Sequence, residues 1–237
     1  MSHPIVTQEE WIDARKKLLA KEKEFTRLRD ELGEAVRSLP WTRVREDYVF
    51  HGPDGVETLA DLFEGRTQLI VYHFMFDPEW EDGCKSCSLL ADHYDPAIVH
   101  LQQRDVTMVM VSRAPLERFE PFKRRMGWTF KWVSSHGCDF NFDYHVSARP
   151  EEVAKGALDY NYQNDMKFGG TELPGISVFF KDDDRTIYHT YSSYARGLDR
   201  FLGVYHLLDI VPKGRDEAGL PYGMDWVRHH DRYEESK

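Results

Sequence analysis

The sequence predicts an α/β domain: a central mixed sheet flanked by helices, preceded by one long helix and interrupted by an insertion between its two halves. Three observations carry this. Leu69 to Phe76 (LIVYHFMF) and Val106 to Val111 (VTMVMV) are nearly continuous apolar runs, the pattern of strands buried on both faces. Each is followed by a stretch with helical spacing, Ser88 to Gln103 and Ala114 to Met126, and Phe130 to Val133 adds a short strand. This strand–helix alternation requires parallel pairing. Ile176 to Phe180 and Thr186 to Ser192 then flank an Asp182-Asp183-Asp184 turn, a hairpin, before a final helix at Leu198 to Leu208.

Taken in order, residues 7–39 predict one helix. Thr7 and Glu10 form a capping box at its start, and Pro40 ends it. Trp11, Leu18, Phe25, Leu32 and Leu39 recur every seven residues on an otherwise charged rod, a narrow seam of the coiled-coil kind. Two roles stay open: a helix lying across its own domain, or an arm that forms a homodimer. Gly33 and the weak second seam position (Ala14, Leu28, Ala35) speak against a regular coiled coil. Val44 to Phe50 predicts a strand, Gly52-Pro53-Asp54-Gly55 its turn, and Val56 to Leu59 the return. Leu59 to Phe63 makes a short helical turn, closed by Gly65 before the central strand. Pro115 starts the second flanking helix, whose apolar face is Phe119, Phe122 and Met126. Residues 134–172 break the rhythm and predict an insertion or lid. The expected organisation is a helix at 1–40, a domain at 41–211 with that insertion, and a polar tail at 212–237 that contains Trp226.

Composition narrows the function. A formal net charge of -10, with no Lys/Arg block free of acids, argues against nucleic acid and anionic membranes as partners. No apolar run approaches the roughly 20 residues that span a bilayer. The first residues lack a basic segment followed by an apolar one, so no signal peptide is expected and a cytoplasmic location is. Three cysteines do not build a disulfide framework, and a close pair in a reducing compartment points to catalysis or metal binding.

That pair is Cys84-Lys85-Ser86-Cys87, placed after the Leu69–Phe76 strand and a polar connector, Asp77 to Gly83, at the start of a helix. A cysteine in the first turn of a helix faces unpaired N–H groups and the positive end of the helix dipole, which favour thiolate. The expected chemistry is reversible thiol–disulfide exchange, with Cys84 attacking and Cys87 resolving. The Lys85 ammonium would stabilise a neighbouring thiolate, whereas Asp77, Glu79, Glu81 and Asp82 would raise its pKa. Trp80, Trp128, Trp132, Tyr160 and Tyr162 could line a pocket near the sulfurs or serve equally as core filler. Metal binding is the rival: Cys84, Cys87 and a histidine (His73, His93 or His136) would suit copper(I), but no second C-x-x-C or H-x(3–5)-H supports a zinc site. His73, within the strand, reads as a core residue. Cys138 is either a third redox thiol or a buried small hydrophobe. No G-x-G-x-x-G follows a strand and no P-loop is present, so no cofactor is expected.

A strand–helix–strand half with C-x-x-C at its first helix, followed by a proline-led strand–strand–helix half, resembles the thioredoxin fold. Residues 52–74, GPDGVETLADLFEGRTQLIVYHF, resemble the opening of peroxiredoxin and thiol–disulfide reductase domains. With its N-terminal helix, its FMF-x(7)-C-x-x-C block and its PGISVFF strand, the whole chain resembles the bacterial thioredoxin-like proteins of domain-of-unknown-function family 899. The resemblance implies fold and redox class. It matches Cys84 and Cys87 to the superfamily's redox pair, and Pro174 to a proline that is cis there. A cis Leu173–Pro174 bond would turn the Leu173 backbone toward the sulfurs, where it could pair with a substrate strand. Departures exist. Gly83 stands where thioredoxins carry Trp, and Lys85-Ser86 where they carry Gly-Pro. With Cys87 on the peroxiredoxin cysteine, Trp80 and Cys84 fall where that family has Pro and Thr/Ser, and its arginine is missing before Ile176. The expectation is a thiol–disulfide oxidoreductase acting on a protein or small-molecule disulfide, with Trp80, Lys85, Leu173 and Pro174 bordering the substrate and no metal. The alternative is a non-catalytic, metal- or small-molecule-binding protein on the same fold.

Overall fold

The computed structural model describes residues 3–234. The chain divides into two compact units, Met1–Pro40 and Trp41–Lys237. The first is helix α1, Gln8–Arg37. Its capping box forms as the sequence predicts: the Thr7 N–H donates to Glu10 Oε2 at 2.9 Å, and the Glu10 N–H to Thr7 Oγ1 at 3.3 Å. No residue of α1 is buried. No helix among the described residues is long and apolar enough to cross a membrane.

The second unit carries β1 (Thr42–Arg43), β2 (Val49–Gly52), β3 (Gly55–Thr58), β4 (Gln68–His73), α2 (Lys85–Tyr94), α3 (Ile98–Gln102), β5 (Val106–Ser112), α4 (Leu116–Arg125) and β6 (Trp132–Ser134). There follow α5 (Phe140–Asp143), α6 (Pro150–Lys155), β7 (Ala157–Tyr160), β8 (Gln163–Lys167), β9 (Gly175–Lys181), β10 (Ile187–Tyr194) and α7 (Gly203–Leu208). Eight strands form one sheet in the order β1-β10-β9-β4-β5-β6-β2-β3, while β7 and β8 make a separate hairpin. β4, β5 and β6 run parallel, and β9 lies antiparallel to β4 with β10 antiparallel to β9. The β4–α2–β5 and β9–β10–α7 halves are therefore the two halves of a thioredoxin-like fold.

Three expected elements differ in extent. The segment read as one strand over 44–50 is strand only from Val49, in β2, which pairs with β3 and β6; Thr42–Arg43, just before it, forms β1 and pairs with β10 at the opposite edge. The residues between cross the sheet, with Tyr48 buried. The helix read over 88–103 breaks at Pro96, in a 3-10 turn, into α2 and α3. The final helix splits into a 3-10 segment, Ala195–Phe201, and α7, whose Val204 N–H donates to His93 Nε2 at 3.0 Å. Gly203 is needed there, since a Cβ would fall 2.9 Å from His93 Cδ2.

Because strand side chains alternate, the sheet has two distinct faces. Tyr72, Phe74, Met110, Trp132 and Ile176 pack against α2, α4, α7 and the C-terminal segment. Leu69, Val71, Val111, Val133 and Phe179 form the other core. That face is covered by the 3-10 turn at Asp61–Phe63 and by the insertion, whose Phe140, Tyr144, Val146, Leu158 and Tyr160 are buried. The insertion is thus a wall of the core; a lid would keep its apolar groups mobile and exposed.

Candidate active site

The thiols sit beyond the C-terminal end of β4. The connector folds back on itself: Asp77 Oδ1 accepts from the Glu79 N–H at 2.8 Å, and Asp77 O from the Trp80 N–H at 3.0 Å. Gly83 is required by close packing, since a Cβ there would lie 2.7 Å from Phe74 and 2.9 Å from Phe122. Its carbonyl lies 2.9 Å from Nε2 of the buried His229. The Cys84 N–H donates to Met75 O at 3.1 Å, tying the motif to the end of the central strand. Cys84 is the N-cap of α2, and its carbonyl accepts from the Ser88 N–H and from the Ser88 hydroxyl, both at 2.9 Å.

Both cysteines are free thiols, Cys84 partly exposed and Cys87 buried. The Cys87 side chain hydrogen-bonds the Cys84 sulfur, and the N–H groups of Cys87 and Ser86 and the Ser86 hydroxyl add to it. Against the opposing effect of burial, these draw the Cys84 thiol down to about 7. Cys87 is held well above the ordinary thiol range by burial, by its hydrogen bond to Cys84 and by the charge there. The Tyr72 hydroxyl and the Met75 N–H, beside the Cys87 sulfur, work the other way. One thiol is poised and the other held protonated, an asymmetry suited to sequential attack.

The family model described as "Bacterial protein of unknown function (DUF899)" matches residues 1–233. The chain belongs to that family. Comparison with curated proteins finds no match. Among solved structures, the chain is similar to the peroxidoxin BcpB of Mycobacterium tuberculosis, at 12% identity over 69% of this chain and 94% of that one, TM-score 0.46. A PrxQ mutant of Xylella fastidiosa matches at 13% over 70% and 94%, TM-score 0.45. A candidate thiol-disulfide oxidoreductase of Bacteroides vulgatus matches at 14% over 70% and 96%, TM-score 0.37.

In this DUF899 protein several expected site residues are placed differently. The Leu173–Pro174 bond is trans, as is every peptide bond among the described residues. The insertion explains the local geometry: the Leu173 N–H donates to Val146 O at 2.8 Å, the Leu173 side chain is buried in the insertion-side core, and Pro174 O accepts from the Tyr160 hydroxyl at 2.7 Å. The Leu173 N–H is therefore not free to pair with a substrate. The Lys85 ammonium donates to Asp225 O at 3.0 Å and lies 3.7 Å from its carboxylate, so it is directed to the C-terminal segment and is not a leading influence on Cys84. Trp80 packs, partly buried, against the cysteine-side core.

Two of the four acids of the lip, Asp77 and Asp82, are paired. Asp82 binds Arg125 at 2.6 Å and Arg232 at 2.7 Å; burial would raise its pKa, but the two guanidinium groups hold it below the usual range. Asp77 is buried and bonds Arg113 at 2.5 Å. Cys138 packs in the core on the far side of the sheet from Cys84 and Cys87, which separates it from their chemistry. His93 has its Nδ1 at 2.7 Å from Leu89 O and accepts from the Val204 N–H, so it braces α2 against α7. Among the described residues, no group of three or more His, Cys, Asp or Glu side chains is arranged to hold a metal ion.

Sequence reasoning missed three contributors, Tyr72, His229 and Arg113, and had Tyr160 only as one of five aromatics that could line a pocket near the sulfurs. Tyr72, on β4 just before the motif, has its hydroxyl pushed up by burial and by the neighbouring Cys87, and Cys87 also raises the hydroxyl of Tyr160 in the insertion. His229 holds the loop before Cys84. Arg113, at the end of β5, bonds Glu172 at 2.7 Å as well as Asp77; Glu172 also accepts from the Ser147 hydroxyl at 2.7 Å. Burial pushes the Glu172 carboxyl up to about 7, with Arg113 and Ser147 opposing. Of these, only the alternation of β4 could have flagged Tyr72. The others join residues far apart in the chain.

Proposed function

We propose that the protein is a thiol–disulfide oxidoreductase, with Cys84 as nucleophile and Cys87 as resolving thiol. The carrying observation is a partly exposed Cys84 at a helix N-cap, drawn to about 7 by the thiol of Cys87 one turn inside. Near neutral pH much of Cys84 is thiolate. It attacks one sulfur of a substrate disulfide; that bond breaks, a Cys84–substrate bond forms, and the other substrate sulfur leaves as thiolate and takes a proton from water. With Cys84 held in the mixed disulfide, its charge and its hydrogen bond no longer raise Cys87. Cys87 gives its proton to solvent and attacks the Cys84 sulfur, so the second substrate thiolate leaves as the intramolecular disulfide forms. The pair loses two electrons and the substrate gains two. Trp80 and Pro174 are proposed to border the substrate, a protein or small-molecule disulfide. A cytoplasmic setting belongs to the proposal, because a dithiol there stays reduced.

Equilibration with glutathione buffers, read by mass spectrometry, tests this. A disulfide between Cys84 and Cys87 should form with a potential of about -270 to -180 mV. Cys87→Ser should trap mixed disulfides through Cys84, and Cys84→Ser should trap none. Failure of the wild-type pair to oxidise at any buffer ratio would overturn the reading.

A second copy of the chain is the partner we propose for α1. The seam residues Trp11, Leu18, Phe25 and Leu32 are 53, 51, 67 and 52% exposed, and their seven-residue spacing suits a left-handed helix pair. Sedimentation of the full chain should show a dimer that Leu18→Glu with Phe25→Glu converts to monomer; an unchanged mass would remove the proposal.

A further inference from the structure

The insertion-covered face of the sheet carries polar groups that the thiol chemistry does not use. A bulge in β10 shifts the register between His189 and Tyr191. It puts His189 on the same face as Ser192 and Tyr194, which a regular strand would not do. The result is a chain of hydrogen bonds across three strands. His73 Nε2 lies 2.8 Å from Ser177 Oγ, Ser177 Oγ 2.8 Å from Ser192 Oγ, and Ser192 Oγ 2.7 Å from His189 Nε2. Burial, with His189 nearby, brings His73 down to about 3, so it stays neutral, and its Nδ1 has no partner. Serine hydroxyls both donate and accept. The chain therefore runs in either direction, and the other ring nitrogen of His189 can serve as donor or as acceptor.

This chain ends at a cavity of about 510 Å³, within the range of small-molecule sites. Its walls include Tyr144, Tyr194 and His189, with Tyr162 at the tip of the β7–β8 hairpin. Asn161 and Tyr162 are successive left-handed residues, with φ of 52° and 61°, where a hairpin favours small or flexible residues. A tyrosine there is 80% exposed, yet its hydroxyl donates to Ser192 O at 3.1 Å. His145, also lining the cavity, has φ 54°. Strain of this kind collects where a side chain must be aimed. Arg43 and Arg45 stand two residues apart on the rim, exposed, and neither makes an ion pair among the described residues. Of the two carboxylates at the cavity, Asp143 is engaged by the Tyr48 hydroxyl at 2.8 Å and lies 3.7 Å from Arg149; Glu46 is exposed.

We infer that this cavity is a binding site for a small aromatic anion, its ring against Tyr144, Tyr162 and Tyr194, its charge on Arg43 and Arg45, and a polar group on His189. Tyrosine faces and edges accept a planar ring at little entropic cost, and guanidinium groups pair carboxylate or phosphate in a fork. The site lies across the sheet from the thiols and does not depend on their chemistry.

The test uses the reduced full-length protein with 2-naphthoate as probe and the uncharged 2-naphthamide as control, followed by calorimetry and by the histidine ring resonances. One equivalent of naphthoate should bind, shifting His189, with the amide weaker by about tenfold or more. Arg43→Gln with Arg45→Gln should weaken naphthoate by about tenfold, and Tyr162→Ala by a lesser factor, with the melting temperature unchanged for these exposed positions. The Cys84→Ser variant should bind as tightly as wild type. No saturable binding up to about 1 mM, equal affinity for the amide, or variants that bind like wild type would each overturn the inference.

Discussion

The two faces of the sheet solve the same covering problem with different materials. On the cysteine side, helices enclose a dense aromatic core: Trp132 stacks on Phe119 at 4.6 Å and meets Phe74 at 4.5 Å, and its indole N–H donates to Ser112. On the other side, irregular chain does the covering. Phe140 of the insertion packs at 4.8–5.5 Å from Tyr48, Phe50, His73 and Tyr144. The helical side holds Cys84 and Cys87 at the helix start, where a thiolate can be stabilised. The insertion side admits a buried His–Ser–Ser–His chain and a cavity. Covering by regular helices isolates one reaction centre; covering by loops leaves polar groups in the interior that need partners.

The largest expected effect tests whether the two coverings are equally structural. Phe140→Ala should destabilise by about 3–5 kcal/mol in urea unfolding, the same range as Trp132→Ala. A loss below about 1 kcal/mol for Phe140→Ala alone would restore the lid reading of the insertion. Gly83→Ala comes next: its Cβ meets two phenylalanine rings, so it should cost about 1–3 kcal/mol and slow alkylation of Cys84 at pH 7 by displacing the loop.

A pH profile then probes the joint between the faces. Glu172 has a folded pKa raised from 4.5 to about 7, so its contribution to stability is fully present below about 4.5 and is lost as pH rises through about 7. Glu172→Gln should flatten the unfolding free energy across that window, and superimposable profiles would mean that the carboxyl ionises as it does in the unfolded chain. The smallest effect belongs to Lys85→Ala. Because the ammonium is bonded to Asp225, the midpoint for Cys84 alkylation should move by less than about 0.3 pH unit. A shift upward by a full unit would return Lys85 to the role of thiolate stabiliser.

Much of the fold was legible because it rests on local pattern. The apolar runs of β4 and β5, the Thr7–Glu10 cap and the Gly52–Gly55 turn all appear where periodicity and turn chemistry put them. The cysteine pair was legible for the same reason: its meaning lies in its position between a strand and a helix. The break between β1 and β2 was not, since a run of alternating residues does not say that it crosses to another edge. The insertion's role was hidden because its buried residues follow no single period. The partners of the site were hidden too. Arg113 with Glu172 and His229 with Gly83 are long-range pairings that only the folded chain brings together. Lys85 shows the converse error: a charge next to the thiol in sequence is directed elsewhere by a residue 140 positions away.

The bond between His229 and the Gly83 carbonyl spans 146 positions of chain. On the ribosome, the loop before Cys84 leaves the exit tunnel long before residue 229 has been made. During that interval the two thiols are present without the anchor that fixes their approach, so a newborn chain passes through a period in which its cysteines meet oxidants and foreign thiols in an unfinished setting. The order of synthesis therefore makes the anchoring of this loop one of the last contacts the chain can form.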